Sequence, residues 1–251
     1  MKYWILLIGN IFIIIACNNK SREVSPIIDL QEQIAVEAKK LDPKLIEPKN
    51  DIWNAYFDSL GLVNIEERDS SIKVHLIYNT TNNFTGQSLY KGLKTAWLQP
   101  EAIDKLVRAQ KLLKELHPDL SIIVYDAARP FRIQREMWNV AKNTNMKYYV
   151  ANPNKGGGLH NYGMAVDVTL VDSLGHILPM GTPYDYPGVE SHITDEANLL
   201  ATGKITQEEY NNRQLLRKIM KKAGFKTISR EWWHFNACPL QQAQEKYKRI
   251  E

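Results

Sequence analysis

Polar and apolar residues alternate from Met164 to Leu170. Met164, Val166, Val168 and Leu170 fall on one side of an extended chain, and Ala165, Asp167 and Thr169 on the other. A period of two predicts a half-buried β-strand. Ile72, Val74, Leu76 and Tyr78 alternate in the same way and predict a second strand, while residues 120–125 form a continuous apolar one. Elsewhere the spacing is helical. Ile103, Leu106, Val107, Leu112, Leu113 and Leu116 recur at three- and four-residue steps and predict a helix over 100–116, closed by His117-Pro118. Pro130 is placed to open a helix over 131–143, since proline is tolerated at a first helical position. Tyr210, Leu215, Leu216, Ile219 and Met220 predict another over 207–223, with Gly224 as a left-handed cap. The chain therefore reads as mixed α and β.

The N-terminus obeys a different rule. Lys2 precedes an almost wholly apolar run from Trp4 to Ile15. That run is shorter than the ~20 residues of a membrane span and suits the apolar part of a signal peptide. Ala16-Cys17 closes it and resembles the lipobox of bacterial lipoproteins, which implies a signal peptide over 1–16 and acylation of the Cys17 thiol. An uncleaved anchor is the alternative, and either way the expected location is the cell envelope, at a membrane and facing the periplasm or exterior. Residues 17–50 read as a lipidated tether with one short helix, built on Leu30, Ile34, Val36 and Leu41 and ended by Pro43 and Pro48. Residues 51–251 remain for a single domain with its own core.

Composition changes this picture little. The net charge of +4 is spread over both signs, without a basic stripe carrying interleaved aromatics, so nucleic acid is not an expected partner. The chain has two cysteines, and with Cys17 acylated, Cys238 has no disulfide partner.

Chemistry concentrates in two stretches. Gly156-Gly157-Gly158 leads to His160, and Asp167 follows seven residues later beside the small Ala165 and Thr169. An imidazole and a carboxylate aimed into one cavity are two of the three protein ligands of a catalytic zinc. A surface loop feeding an ordinary strand is the competing reading. Arg230-Glu231-Trp232-Trp233-His234-Phe235 can supply the third ligand, His234, and a general base, Glu231. Residues three apart point to opposite faces of a flat strand, so Glu231 is expected at a bend or strand start. An aromatic core strand with a satisfied histidine is the alternative here, and the two stretches together favour a metal site. Arg129 stands at a strand-to-helix junction, free either to face a site or to pair with Asp126 or Glu136. His75 reads as an edge histidine, His117 as a helix-end dipole partner, His176 and His192 as non-ligands, and Asp185 as a turn residue.

His160 with Gly163 and Asp167, followed by Glu231-Trp232-Trp233-His234, resembles the D-alanyl-D-alanine dipeptidases of vancomycin-resistance operons. These belong to a wider set of zinc D,D-peptidases that includes D,D-carboxypeptidases and the hedgehog signalling domain. The resemblance runs from about Val74 to Phe235 and takes in Tyr78, Asn83-Phe84-Thr85-Gly86, the 126–130 junction, and Met180-Gly181-Thr182 with Asp185. It implies an α+β domain whose small, mainly antiparallel sheet carries the site, with helices packed around it. It also implies one zinc per chain on His160, Asp167 and His234, Glu231 as base and then acid, and Arg129 at the oxyanion. Asp185 and Tyr78 would hold the free ammonium of a D,D-dipeptide, and Tyr90 is a further candidate for that pocket. Gly158 departs from the pattern, which often has a serine there to bind the substrate carboxylate; the loop's backbone N–H groups or Lys155 are the candidate substitutes. A D,D-carboxypeptidase acting on peptidoglycan stem peptides and a non-catalytic zinc module for cell-wall fragments are the competing functions. Glu231 and Arg129 argue against the second of these.

Overall fold

Residues 50–251 are described by a computed structural model; the signal peptide, Cys17 and the tether helix expected before them lie outside the described residues. In chain order, α1 (Asn50–Ser59) leads through β1 (Val63–Asn64) and the one-turn α2 (Ile65–Arg68) to β2 (Lys73–Val74). β3 (Trp97–Leu98) precedes the long α3 (Pro100–Leu116), and β4 (Ser121–Asp126) runs almost directly into α4 (Phe131–Ala141). After β5 (Ala165–Val171) come α5 (Glu196–Ala201), α6 (Gln207–Lys222), β6 (Lys226–Thr227), β7 (His234–Asn236) and α7 (Leu240–Lys246).

Five of these strands form one sheet in the order β2-β4-β5-β7-β6, while β1 pairs with β3 separately. Only β2 and β4 run parallel; the remaining pairs in the sheet are antiparallel. This is the mainly antiparallel α+β architecture expected. α3 and α6 pack on one another, α3 on β4 and α6 on β5.

The helices follow their sequence signals. α3 opens with Pro100 and buries Ala102, Ile103, Leu106, Ala109, Gln110 and Leu113, a stripe of helical period. Leu116, the last residue of the helix, ends up exposed. α6 starts at a capping box in which Thr206 and Glu209 satisfy each other's backbone N–H, and Gly224 takes φ +99 just beyond its end. Pro130 sits one residue before α4, with ψ 142, instead of inside its first turn.

Two strand expectations change. β5 is buried at all seven positions, not on one face only, because loop side chains close over the side that carries Asp167. The strand expected over 72–78 shrinks to Lys73–Val74, and Ile77–Asn79 is a 3₁₀ turn. Leu76, Ile77 and Tyr78 are buried in succession, which a two-sided edge strand cannot achieve; the turn sends Tyr78 inward.

Candidate metal centre and active site

Strand register assembles the site. Asp126 on β4 lies opposite Asp167 on β5, and Asp167 lies opposite His234 on β7, so three adjacent strands carry them in one row. A bulge between Val124 and Asp126 disrupts the ladder at the end of β4, the kind of feature that re-aims a strand's last side chains. His160 arrives from the 3₁₀ turn Leu159–Tyr162, which ends at Gly163 with φ +65. A side chain at Gly163 would press on Leu62 Cδ2 at 2.9 Å, so glycine serves both the turn and the close packing.

His160 Nε2, His234 Nδ1 and Asp167 Oδ1 converge. The separations are 3.2 Å between the two nitrogens, 3.4 Å from His160 Nε2 to Asp167 Oδ1, and 2.9 Å from His234 Nδ1 to Asp167 Oδ1. Among the described residues these three form the group that could hold a metal ion. Ligand atoms bound tetrahedrally at about 2.0–2.1 Å stand roughly 3.3 Å apart, close to what is seen. The outer ring nitrogens complete the fit. His160 Nδ1 lies 2.7 Å from the Ala127 carbonyl, and His234 Nε2 lies 2.7 Å from Asn236 Oδ1. Both partners are acceptors when Asn236 is so oriented, so each imidazole donates outward and turns a lone pair inward. Two lone pairs and a carboxylate oxygen facing one another are the donor set of a divalent cation. Burial disfavours an ionised Asp167, but with no cation between them the positive charge and N–H groups that His160 and His234 can present to it outweigh that and hold its carboxyl well below the usual range.

Glu231 lies in the bend before β7, as expected, with Oε2 3.9 Å from His234 Nδ1. Burial pushes its carboxyl up to about 8, against the opposing pull of His234. Arg129 does both things its position allowed. It pairs with Asp126, Nε donating to Oδ2 at 2.8 Å and Nη2 donating to the same oxygen, while Nη1 donates to Gln134 Oε1 at 2.8 Å. It also lines the cavity, with Nη2 3.9 Å from Asp167 Oδ2. Burial works against its charge, yet Asp126 raises its pKa above the ordinary value.

The same cavity, of ≈ 340 Å³, is walled at another side by Asp185 and Tyr78. That volume is at the small end of the about 300–1,000 Å³ usual for ligand sites. Asp185 takes φ +61, a left-handed conformation rare outside glycine, and Tyr78 Oη donates to its Oδ2 at 2.7 Å. Burial pushes the Asp185 carboxyl up to about 8, although the Tyr78 bond opposes this. Its segment is anchored from behind: Trp232 Nε1 donates to Thr182 Oγ1 at 2.8 Å and Arg213 Nε to the Met180 carbonyl.

A family model described as D-ala-D-ala dipeptidase, peptidase M15, matches residues 58–250. The chain belongs to this family. It is 30% identical to a D-alanyl-D-alanine dipeptidase of Escherichia coli over 71% of this chain and 85% of that protein. Proteins of the same name from Synechocystis and Enterococcus faecium are each 26% identical, covering 71% and 70% of this chain and 81% and 91% of their own lengths. As an M15 family member the chain is a hydrolase of a typically metal-dependent kind.

Two expectations for this dipeptidase-family site, Tyr90 and the glycine loop, are corrected, while the histidines read as non-ligands lie outside the ligand group. Tyr90 does not line the cavity; its hydroxyl donates to Asp126 Oδ1 and so braces the partner of Arg129 from behind. The three glycine N–H groups are not free for a ligand. They donate to the carbonyls of Pro153 and Asn152 and to Asn161 Oδ1, and Lys155 is exposed and off the cavity lining. His75 and His176 are exposed, and His192 is bonded to Tyr149 Oη at 3.0 Å, outside the ligand group. Tyr184, Gln134 and Asn161 were missed, and Asp126 was named only as one of two possible partners for Arg129. Tyr184 stood in the Met180-to-Asp185 motif, but nothing in the spacing assigned its hydroxyl a role. Buried Asn161 donates to the Arg129 carbonyl at 2.9 Å and accepts from Gly158, and the Arg129 N–H donates to the His160 carbonyl, locking the two loops together.

Proposed function

We propose that this protein is a zinc-dependent dipeptidase that hydrolyses D-alanyl-D-alanine or a closely related D,D-dipeptide to free amino acids. One observation carries the reading: a small cavity holds the His160–Asp167–His234 group, Glu231 and Arg129 together with a paired, half-buried acid, Asp185. His160, Asp167 and His234 would hold the cation. Zinc in such a site polarises a scissile carbonyl and lowers the pKa of water to about 7.

The chain's own side chains do the rest. Glu231, its carboxyl pushed up by burial to about 8 in the metal-free protein, accepts the proton of the attacking water and returns it to the leaving nitrogen. Arg129 is held by Asp126 and Gln134 on one side and offers remaining N–H groups to the oxyanion on the other. Its geometry is set before reaction, so little reorganisation is needed. Asp185, oriented by Tyr78, pairs with the substrate ammonium. A longer or N-blocked peptide would place an amide there and forgo the ion pair that the ammonium forms with this half-buried acid, which is the physical basis of dipeptide selectivity. The same Asp185 weighs against a D,D-carboxypeptidase, which needs that end open, and Glu231 with Arg129 weighs against a mere binding module. The Trp4-to-Cys17 pattern supports the remaining part of the reading, an acylated Cys17 and a 17–50 tether holding the 51–251 domain at a membrane in the cell envelope.

The test is hydrolysis of free D-Ala-D-Ala beside its N-acetylated form, with Asp185→Ala in parallel. Cleavage of the free dipeptide is expected, with a KM raised about tenfold or more in the variant. Equal cleavage of the blocked dipeptide would replace the dipeptidase reading with the carboxypeptidase one.

A further inference from the structure

Asp167 uses its two oxygens differently. Oδ1 faces His160 and His234, at 3.4 and 2.9 Å. Oδ2 accepts a hydrogen bond from Tyr184 Oη at 2.8 Å and lies 3.9 Å from Arg129 Nη2. A carboxylate free to turn can give both oxygens to one cation, and hydrolytic sites need a coordination position kept for water. The Tyr184 ring is itself fixed, with centroids 5.4 Å from Tyr125, 5.3 Å from Trp233 and 6.1 Å from Tyr78. The next residue is Asp185, whose left-handed backbone turns it toward Tyr78 while Tyr184 turns toward Asp167. Two consecutive side chains thus reach the two functional ends of the cavity.

We propose that Tyr184 is a positioning residue: its hydroxyl holds Asp167 as a one-oxygen ligand and docks the Asp185 segment onto the metal centre. The inference rests on reading His160, Asp167 and His234 as the cation site. Phenylalanine would fill the same ring space without the bond.

The experiment compares Tyr184→Phe with Tyr125→Phe, whose ring touches Tyr184 but whose hydroxyl is not bonded to Asp167. Zinc affinity of the metal-free proteins is measured by competition with a chromophoric chelator. Kinetics on free D-Ala-D-Ala follow in saturating zinc. Outer-sphere partners of metal ligands typically contribute 10–100-fold in affinity, so Y184F should bind zinc roughly 10–100-fold more weakly and Y125F like wild type. With zinc restored, the KM of Y184F should stay raised because the Asp185 segment has lost its one bond to Asp167, while its anchors to Tyr78, Trp232 and Arg213 remain. Zinc affinity and KM equal to wild type in Y184F would overturn the proposal. Failure of the wild-type protein to take up zinc would instead overturn the metal site beneath it.

Discussion

Glu231 and Asp185 owe their pKa values of about 8 mainly to burial, and this has opposite meanings for function and for stability. For function, a carboxylate near neutrality can both take and give a proton. Glu231→Gln keeps the shape and removes that capacity, and it should lower kcat about 10²–10⁴-fold with zinc uptake unchanged. A variant with wild-type turnover would remove Glu231 from the mechanism. For stability, both groups ionise near pH 4 in an unfolded chain and near 8 in the folded, metal-free protein. Between those values the folded state binds more protons, so stability falls as pH rises across the window. Thermal midpoints of metal-free protein should therefore drop from pH 5 to 8, and less steeply in Asp185→Asn; parallel slopes would contradict the assignment. The residues proposed as metal ligands and base were readable from the sequence because each falls in a short motif. Tyr184 on Asp167 and Tyr90 on Asp126 are hydrogen bonds across 17 and 36 positions, which no local pattern encodes.

At the level of elements, α3, α4, α6, β4 and β5 were legible because their apolar period and end signals agree with where they pack. The run over 72–78 was not, since its alternation belongs partly to a strand and partly to a turn that buries consecutive residues. Two substitutions separate scaffold from site. Thr206→Ala removes the α6 capping box far from the cavity and should cost about 1 kcal/mol in denaturant unfolding while leaving kcat/KM unchanged. Gly157→Ala places a Cβ 2.3 Å from Asn161 Oδ1 at φ +79, where an alanine is also strained. It should destabilise by more than ~1 kcal/mol and lower activity too, because Asn161 ties the His160 turn to the Arg129 carbonyl. Unchanged activity in a folded Gly157→Ala protein would mean that this tie does not position the site.

The whole domain is a sheet whose central strands place an acid, a second acid and a histidine in one row, with loops from both directions closing the cavity above them. Its mixed α and β character followed from periodicity, and the sheet's direction followed from the family resemblance, not from any spacing. Hydrolysis through a cation on His160, Asp167 and His234 is open to a single decisive titration. D-alanine release from D-Ala-D-Ala is followed on chelator-stripped protein while zinc is titrated back. No release is expected without metal, recovery should saturate at one zinc per chain, and Asp167→Ala should not recover. Release that persists at full rate in the stripped protein, or that returns in Asp167→Ala, would contradict hydrolysis through that cation.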